Sequence, residues 1–270
     1  MDIDFPLVLS WAVIISGAIW LFDYVALRPR RARAAAAYRA SAGRTAEDDA
    51  VERILKEPLL VEYARSFFPV LLLVLVLRSF LYEPYQIPSE SMVPTLQVGD
   101  FILVNKFDYG IRLPVLGTRL FDVGEPQRGD VMVFIPPHKP VYFIKRVVGL
   151  PGDHIRYQDK VLYINGARVP QKFVEQVATP DGFDVQVYEE MLGDHDHLIY
   201  RYPIHLEPPG EWVVPEGHYF MMGDNRDRSD DSRDWGFASE SKVVGKAVAV
   251  WMHKQPGLHW PTFGRNRWIE

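Results

Sequence analysis

Cysteine is missing altogether from these 270 residues. Its absence excludes a disulfide framework, a thiol nucleophile and a thiolate metal site, and says little about compartment. Surplus positive charge is missing too. The formal net charge is -5 at pH 7, so no excess of cations is available to neutralise phosphate, which argues against a nucleic-acid partner. There is no internal repeat, and no low-complexity tract beyond an alanine-arginine segment near the first third of the chain. What is abundant is apolar side chain, 48% of the total, enough for a sizeable core in a chain of one or two domains.

Charge is nearly absent from Phe5 to Leu27, where only Asp23 interrupts the apolar run. At about 20 residues per crossing, this stretch is long enough to span a bilayer. It lacks the basic start of a cleavable signal peptide, carrying Asp2 and Asp4 instead, and its apolar part is too long for one. Arg28, Arg30, Arg31, Arg33, Arg39 and Arg44 follow with no acid among them, the pattern of a cytoplasmic flank. A second apolar run, Phe67 to Leu77, continues past Arg78 to Tyr82. The expected organisation is a tail and first transmembrane helix over 1–27, a cytoplasmic loop over 28–65, a second transmembrane helix over 66–82, and everything from 83 to 270 on the outer side. Ala32 to Asp49 reads as a solvated, partly helical connection.

After Tyr82 the chain breaks into short β-branched and aromatic runs separated by turn signals, which predicts antiparallel sheet rather than alternating strand and helix. Gly99-Asp100, Gly129-Asp130 and Gly152-Asp153 each precede such a run. Val161 to Val169 reads as a hairpin, with Asn165-Gly166 supplying the positive φ of its turn. The more polar tract from Gln171 to Pro209 reads as part of an insertion spanning about 154–210, outside the core. The fold class is thus two N-terminal transmembrane helices followed by a mostly antiparallel β-rich domain with a hairpin-containing insertion.

Chemistry concentrates in Pro88-Ser89-Glu90-Ser91-Met92-Val93-Pro94-Thr95-Leu96 and one distant residue, Lys145. The prolines stiffen the backbone around two hydroxyls. A serine needs a base to become a nucleophile, and a lysine can be that base if burial strips its proton. Lys145 lies in Val141-Tyr142-Phe143-Ile144-Lys145-Arg146-Val147-Val148, a run that reads as a buried strand. Arg146 cannot deprotonate. Alternation sends the two side chains to opposite faces, one for chemistry and one for a carboxylate.

The serine block, the block Lys145 to Asp153 and the block Gly223-Asp224-Asn225-Arg226-Asp227-Arg228-Ser229-Asp230-Asp231-Ser232-Arg233 together resemble bacterial type I signal peptidase, in the family's order and behind an apolar N-terminal region. The resemblance covers about Arg78 to Gly245. It implies a membrane-bound serine endopeptidase in the bacterial cytoplasmic membrane, multi-pass, with its catalytic β domain on the outer, periplasmic side, cutting signal peptides from secretory preproteins without a cofactor or metal. It assigns Ser91 as nucleophile and Lys145 as general base. The residues alone favour Ser91 over Ser89 only weakly, so the resemblance decides. It further implies that the Ser91 N–H and the Ser89 hydroxyl face the oxyanion, and that Ser229 orients the lysine. Arg146 would pair with Asp224 and Asp231 with Arg233, while Tyr85, Ile87, Met92, Leu96 and Ile144 line two substrate pockets. Glu90 departs from the family's common glycine, and its charge would raise the Lys145 pKa if it turned inward.

Other readings compete at each point. The last block taken alone is a solvated Asp-Arg turn, and it lacks the central glycine and terminal glutamate of a calcium loop. His138, His154 and His218 sit in no nucleophile elbow. Asp194-His195-Asp196-His197 on an extended chain converges at most two side chains on a metal. The pocket residues could equally be plain core. Trp251, Trp260 and Trp268 fit either ordinary packing or contact with lipid head groups. A self-cleaving repressor-type protease shares the dyad logic, but the membrane helices and the lack of a DNA-binding element speak against it. The rival from another class is a membrane-tethered binding or assembly protein, which would require no neutral lysine beside a serine.

Overall fold

The computed structural model describes residues 5–42, 47–112, 119–121, 123–179, 182–205 and 208–269. The expected roles of Asp2, Asp4 and Arg44 lie outside these. The chain divides into a helical unit, 1–80 with 113–117, and a β unit, 81–112 with 118–270.

In the helical unit the first apolar run forms the helix Phe5–Phe22 and passes through a π-helical turn at Asp23–Leu27 into the helix Arg28–Ala42. The turn sits where hydrophobicity gives way to arginine, and there the buried Asp23 carboxylate accepts two hydrogen bonds from Arg31, at 2.6 and 3.0 Å. The second apolar run is the helix Leu59–Phe80, so it starts seven residues before the expected position 66. The expected loop over 28–65 is itself largely helical, through Arg28–Ala42 and Asp48–Leu55. The helices Phe5–Phe22 and Leu59–Phe80 pack together. Gly17 allows the close approach: a Cβ there would lie 2.8 Å from the Phe68 ring. Trp11, Ile14, Leu21, Val70 and Leu73 face outward and are more than half exposed, and both helices are long and apolar enough to cross a membrane.

The β unit is built on an eight-stranded sheet in the spatial order Tyr82–Gln86, Asp100–Asn105, Val243–His253, Val131–Phe134, Phe143–Gly149, His218–Met222 and Ala238–Ser239, with Arg267–Trp268 pairing the long strand Val243–His253. All of these pairings are antiparallel. The strand Val131–Phe134 is buried on both faces: Val131 and Val133 enter one core with Ile87, Met92, Leu96 and Ile102, while Met132 and Phe134 enter another with Val147, Tyr219 and Met221. Two smaller sheets make up the insertion and its flank, Gln171–Ala178 with Asp184–Leu192 and His195–Arg201, and Gly210–Val213 with His154–Gln158, Val161–Ile164 and Ala167–Arg168. The Asn165-Gly166 turn has the expected positive φ at both residues.

All three Gly-Asp pairs open strands, and they do so by one device. Gly99, Gly129 and Gly152 take positive φ, which glycine adopts without a steric penalty. The following Asp100, Asp130 and Asp153 each accept the backbone N–H three residues back, from Gln97, Gln127 and Leu150, at 2.8, 2.9 and 2.6 Å. Each carboxylate also holds a cation from elsewhere in the chain, Arg265, Lys246 and Arg128 respectively, so every turn doubles as a tie between elements.

Candidate active site

The serine block forms a series of turns between the strands Tyr82–Gln86 and Asp100–Asn105. Met92 and Leu96 plug it into the core, 1% and 0% exposed. Its free side is held by the last block: the Asn225 N–H donates to the Ser91 carbonyl and Asn225 Nδ2 to the Glu90 carbonyl, both at 3.1 Å. Gly223 permits this approach, since a Cβ there would lie 2.4 Å from the Ser91 carbonyl oxygen. The backbone that carries Ser91 is therefore held from two sides.

Strand pairing aims the lysine. Lys145 stands opposite Met132 and Arg146 opposite Val131, and these two partners belong to different cores, so the successive cations face opposite sides of the sheet as alternation requires. Lys145 Nζ lies 2.7 Å from Ser91 Oγ, and it also donates to the Ile144 carbonyl at 3.2 Å. Among the described residues it forms no ion pair, and the Phe143 ring lies 5.1 Å away. Burial pushes its ammonium down to about 8 against Asp231, Asp230 and Asp224, whose more distant charges favour the proton. Ser89 Oγ lies 3.3 Å from Ser91 Oγ.

Arg146 meets the opposite fate. Its guanidinium is fully buried and forks onto Asp224 at 2.9 and 2.8 Å, with a further 2.7 Å bond to the Gly129 carbonyl. Burial alone would raise the Asp224 carboxyl; the Arg146 charge outweighs it and holds the group well below the usual carboxylate range. Thr95 Oγ1 donates to the same carboxylate. A second buried pair, Arg226 on Glu190, stands beside this one. Between the two acids lies His197, its Nε2 at 3.5 Å from Glu190 and 3.8 Å from Asp224. Burial and the Arg146 charge push this imidazole down to about 4, so it is neutral at physiological pH. Sequence reasoning missed Glu190, Arg226, His197, Thr95 and Asn225. The first and third sit in the polar tract read as lying outside the core, whereas the structure buries both against the last block.

The remaining expected site residues divide. Ile87, Met92 and Ile144 line a cavity of about 450 Å³ together with Ser89, Ser91 and Lys145. Leu96 does not line it; a fully buried side chain beneath the serine turn is core. Tyr85 reaches the cavity only through Tyr142, whose ring meets it edge-on at 5.3 Å. Asp231 caps the short helix Ser232–Trp235 and pairs with Arg233 at 2.8 Å. Ser229 Oγ is buried and bears on the Asp231 carboxylate; Lys145 is not its partner. Glu90 is exposed and turns toward Arg228 at 3.4 Å, not inward. His138, His154 and His218 bond or pair elsewhere, with Asp230, Glu211 and the Glu216 carbonyl. Among the described residues no three His, Asp or Glu side chains converge as a metal cage. Trp260 and Trp268 are exposed, 90% and 77%, while Trp251 packs edge-on against Phe101.

The profile of the family described as "Signal peptidase, peptidase S26" matches residues 60–252. A protein named signal peptidase I from Pseudomonas aeruginosa is 54% identical, with 93% of each chain covered. Another of that name from Pseudomonas fluorescens is 53% identical, with 98% of each covered. A crystal structure of a signal peptidase I from Enterococcus faecalis aligns with 45% of this chain and 96% of its own at 33% identity, with a TM-score of 0.29. With a buried amine on a serine hydroxyl, the family profile over most of the chain and two full-length relatives above half identity, the chain belongs to the signal peptidase family, peptidase S26.

Proposed function

We propose that this protein is a membrane-anchored, multi-pass endopeptidase of the bacterial cytoplasmic membrane that removes signal peptides from translocated preproteins by an acyl-enzyme route. The observation that carries the reading is the 2.7 Å approach of Lys145 Nζ to Ser91 Oγ with, among the described residues, no carboxylate paired to the amine. Neutral Lys145 takes the Ser91 proton as Oγ attacks the scissile carbonyl. The oxyanion forms against the Ser91 N–H and the Ser89 hydroxyl, donors whose individual loss typically costs about 3 kcal/mol. When the C–N bond breaks, the Lys145 ammonium returns that proton to the leaving amine. Water then attacks the ester, gives its proton to Lys145, and Ser91 Oγ recovers it on release. The buried Ser229 hydroxyl packs against Gly223 beside the Ser91 carbonyl, close enough to the site to orient the amine once substrate is bound.

Substrate enters as an extended strand. The strand Phe143–Gly149 is paired along Phe143–Arg146 by Val131–Phe134 on one edge, but its other neighbour begins only at Arg146. The edge at Phe143 to Lys145 is therefore open to backbone addition, beside walls of Ile87, Met92 and Ile144 that suit small residues before the cut. No more than about 30 Å of extended chain separates Tyr82 from Ser91, which tethers the nucleophile to the outer membrane surface. The arginines after the first apolar helix support a cytoplasmic loop there, and the exposed Trp260 and Trp268 suit head-group contact. A purely binding protein would have no need of an unpaired buried amine on a hydroxyl.

The test is cleavage of a preprotein with a defined cut site, reading the new N-terminus. Ser91→Ala and Lys145→Ala are expected to fold and to leave the preprotein intact. Cleavage by either variant would remove the assignment.

A further inference from the structure

The walls of the substrate cavity are tied together by two exposed ion pairs that flank Ser229. On one side Arg228 meets Glu90, at 3.4 Å, on the turn that carries the nucleophile. The Arg228 guanidinium also lies over the Tyr202 ring at 4.5 Å and the Phe183 ring at 5.4 Å, which fixes its direction. On the other side Asp230 accepts from Lys139 Nζ at 2.6 Å and lies 3.3 Å from His138 Nε2. His138 and Lys139 belong to the connection between the strands Val131–Phe134 and Phe143–Gly149, whose end, Val141 and Tyr142, forms the opposite wall. Arg228 and Asp230 themselves line the cavity.

We infer that the Arg228–Glu90 and Asp230–Lys139 pairs set the width of the cleft and are specificity determinants for the residue just before the cut. The inference rests on the peptidase reading. Small residues are selected when the walls Ile87, Met92 and Ile144 cannot spread. Methylene-sized discrimination in an apolar pocket depends on the walls staying in place, since each extra methylene admitted or refused changes the rate by roughly tenfold or more. Neither pair touches the reacting atoms, so both are positioning contacts.

The test uses the full chain in detergent and a preprotein series with Ala, Ser or Val immediately before the cut, reading kcat/KM for each. Arg228→Ala and Asp230→Asn are each expected to lower the Ala-over-Val preference by about threefold, the scale of an exposed ion pair, and about tenfold together if the sites add. The exchanges Glu90→Arg with Arg228→Glu, and Lys139→Asp with Asp230→Lys, should restore the preference, and high salt should mimic the single variants in the unmodified chain. An unchanged ratio in both single variants overturns the inference, as does a ratio that stays low in the exchanged pairs. Failure of the unmodified chain to cut the Ala substrate would instead remove the peptidase reading, and this inference with it.

Discussion

Lys145 and Arg146 are neighbours on one strand, both are buried, and the protein treats their charges in opposite ways. Arg146 keeps its charge, because a guanidinium cannot lose it, and is met by a forked carboxylate and a carbonyl. Lys145 is given a hydroxyl and a carbonyl instead. With no paired anion among the described residues, desolvation decides and the proton is weakly held. A carboxylate of the Asp224 kind placed beside Lys145 would stabilise the fold and keep the amine protonated. The network around Arg146 gains rigidity from charge, and in the proposed mechanism the amine gains reactivity from charge withheld.

The largest effect comes from making the first site resemble the second. Lys145→Arg fixes a positive charge where no anion is paired, so cleavage should fall by about 10³-fold or more at every pH, checked by preprotein turnover from pH 6 to 10. Next is the reverse operation on the paired site. Asp224→Asn leaves the Arg146 guanidinium buried against a neutral amide and should cost roughly 3–5 kcal/mol in denaturant unfolding of the full chain. The Asp224 carboxyl titrates below its unfolded value, so its contribution is present above the ordinary carboxylate range and is lost as pH falls below it. The variant should therefore lose less stability on acidification than the parent. Third, Lys145→Met keeps the volume and removes the desolvated charge. The folded amine releases its proton at about 8, below its unfolded value of 10.5, so below about pH 8 both states are protonated and the folded one bears the whole penalty. The Met variant should be more stable by about 3 kcal/mol at pH 7, a gain that shrinks between pH 8 and 10. A Met variant no more stable than the parent would show that Lys145 is not desolvated.

How far the sequence reaches follows the same division. Strand alternation alone separates the two cations and marks Lys145 as the one free to lose its charge, whereas the choice of Ser91 over Ser89 and the Arg146–Asp224 pair came from the resemblance of three compact blocks and not from the residues themselves. The Gly-Asp turns and the Asn165-Gly166 hairpin were readable because glycine marks positive φ locally. Glu190 and His197 were not, since nothing in a polar strand announces that one tooth of its pleat is buried against Arg226 and Asp224; the pairing of Asp184–Leu192 with His195–Arg201, which sets Glu190 opposite His197, decides that. Leu96 was ambiguous for the complementary reason, because an apolar residue beside a nucleophile fits pocket and core alike until burial separates them. The start of the second helix was placed too late because Glu62 and Arg65 interrupt its hydrophobicity but not its helix propensity.

The smallest expected effect is the most discriminating for the charge-withheld account. Asp230 is half-exposed, is already paired with Lys139, and acts on Lys145 only through its charge, which favours the ammonium. Asp230→Asn should therefore shift the acid limb of kcat/KM to lower pH, by about 0.3 unit given screening at a partly exposed site. The direction matters more than the size. Loss of a merely structural contact would lower the plateau without moving the midpoint, whereas loss of a charge that helps Lys145 hold its proton must move it downward. A midpoint displaced upward would mean that Asp230 does not act on the amine as a negative charge, and the contrast with Asp224, which differs from it in distance and pairing and not in kind, would need another cause.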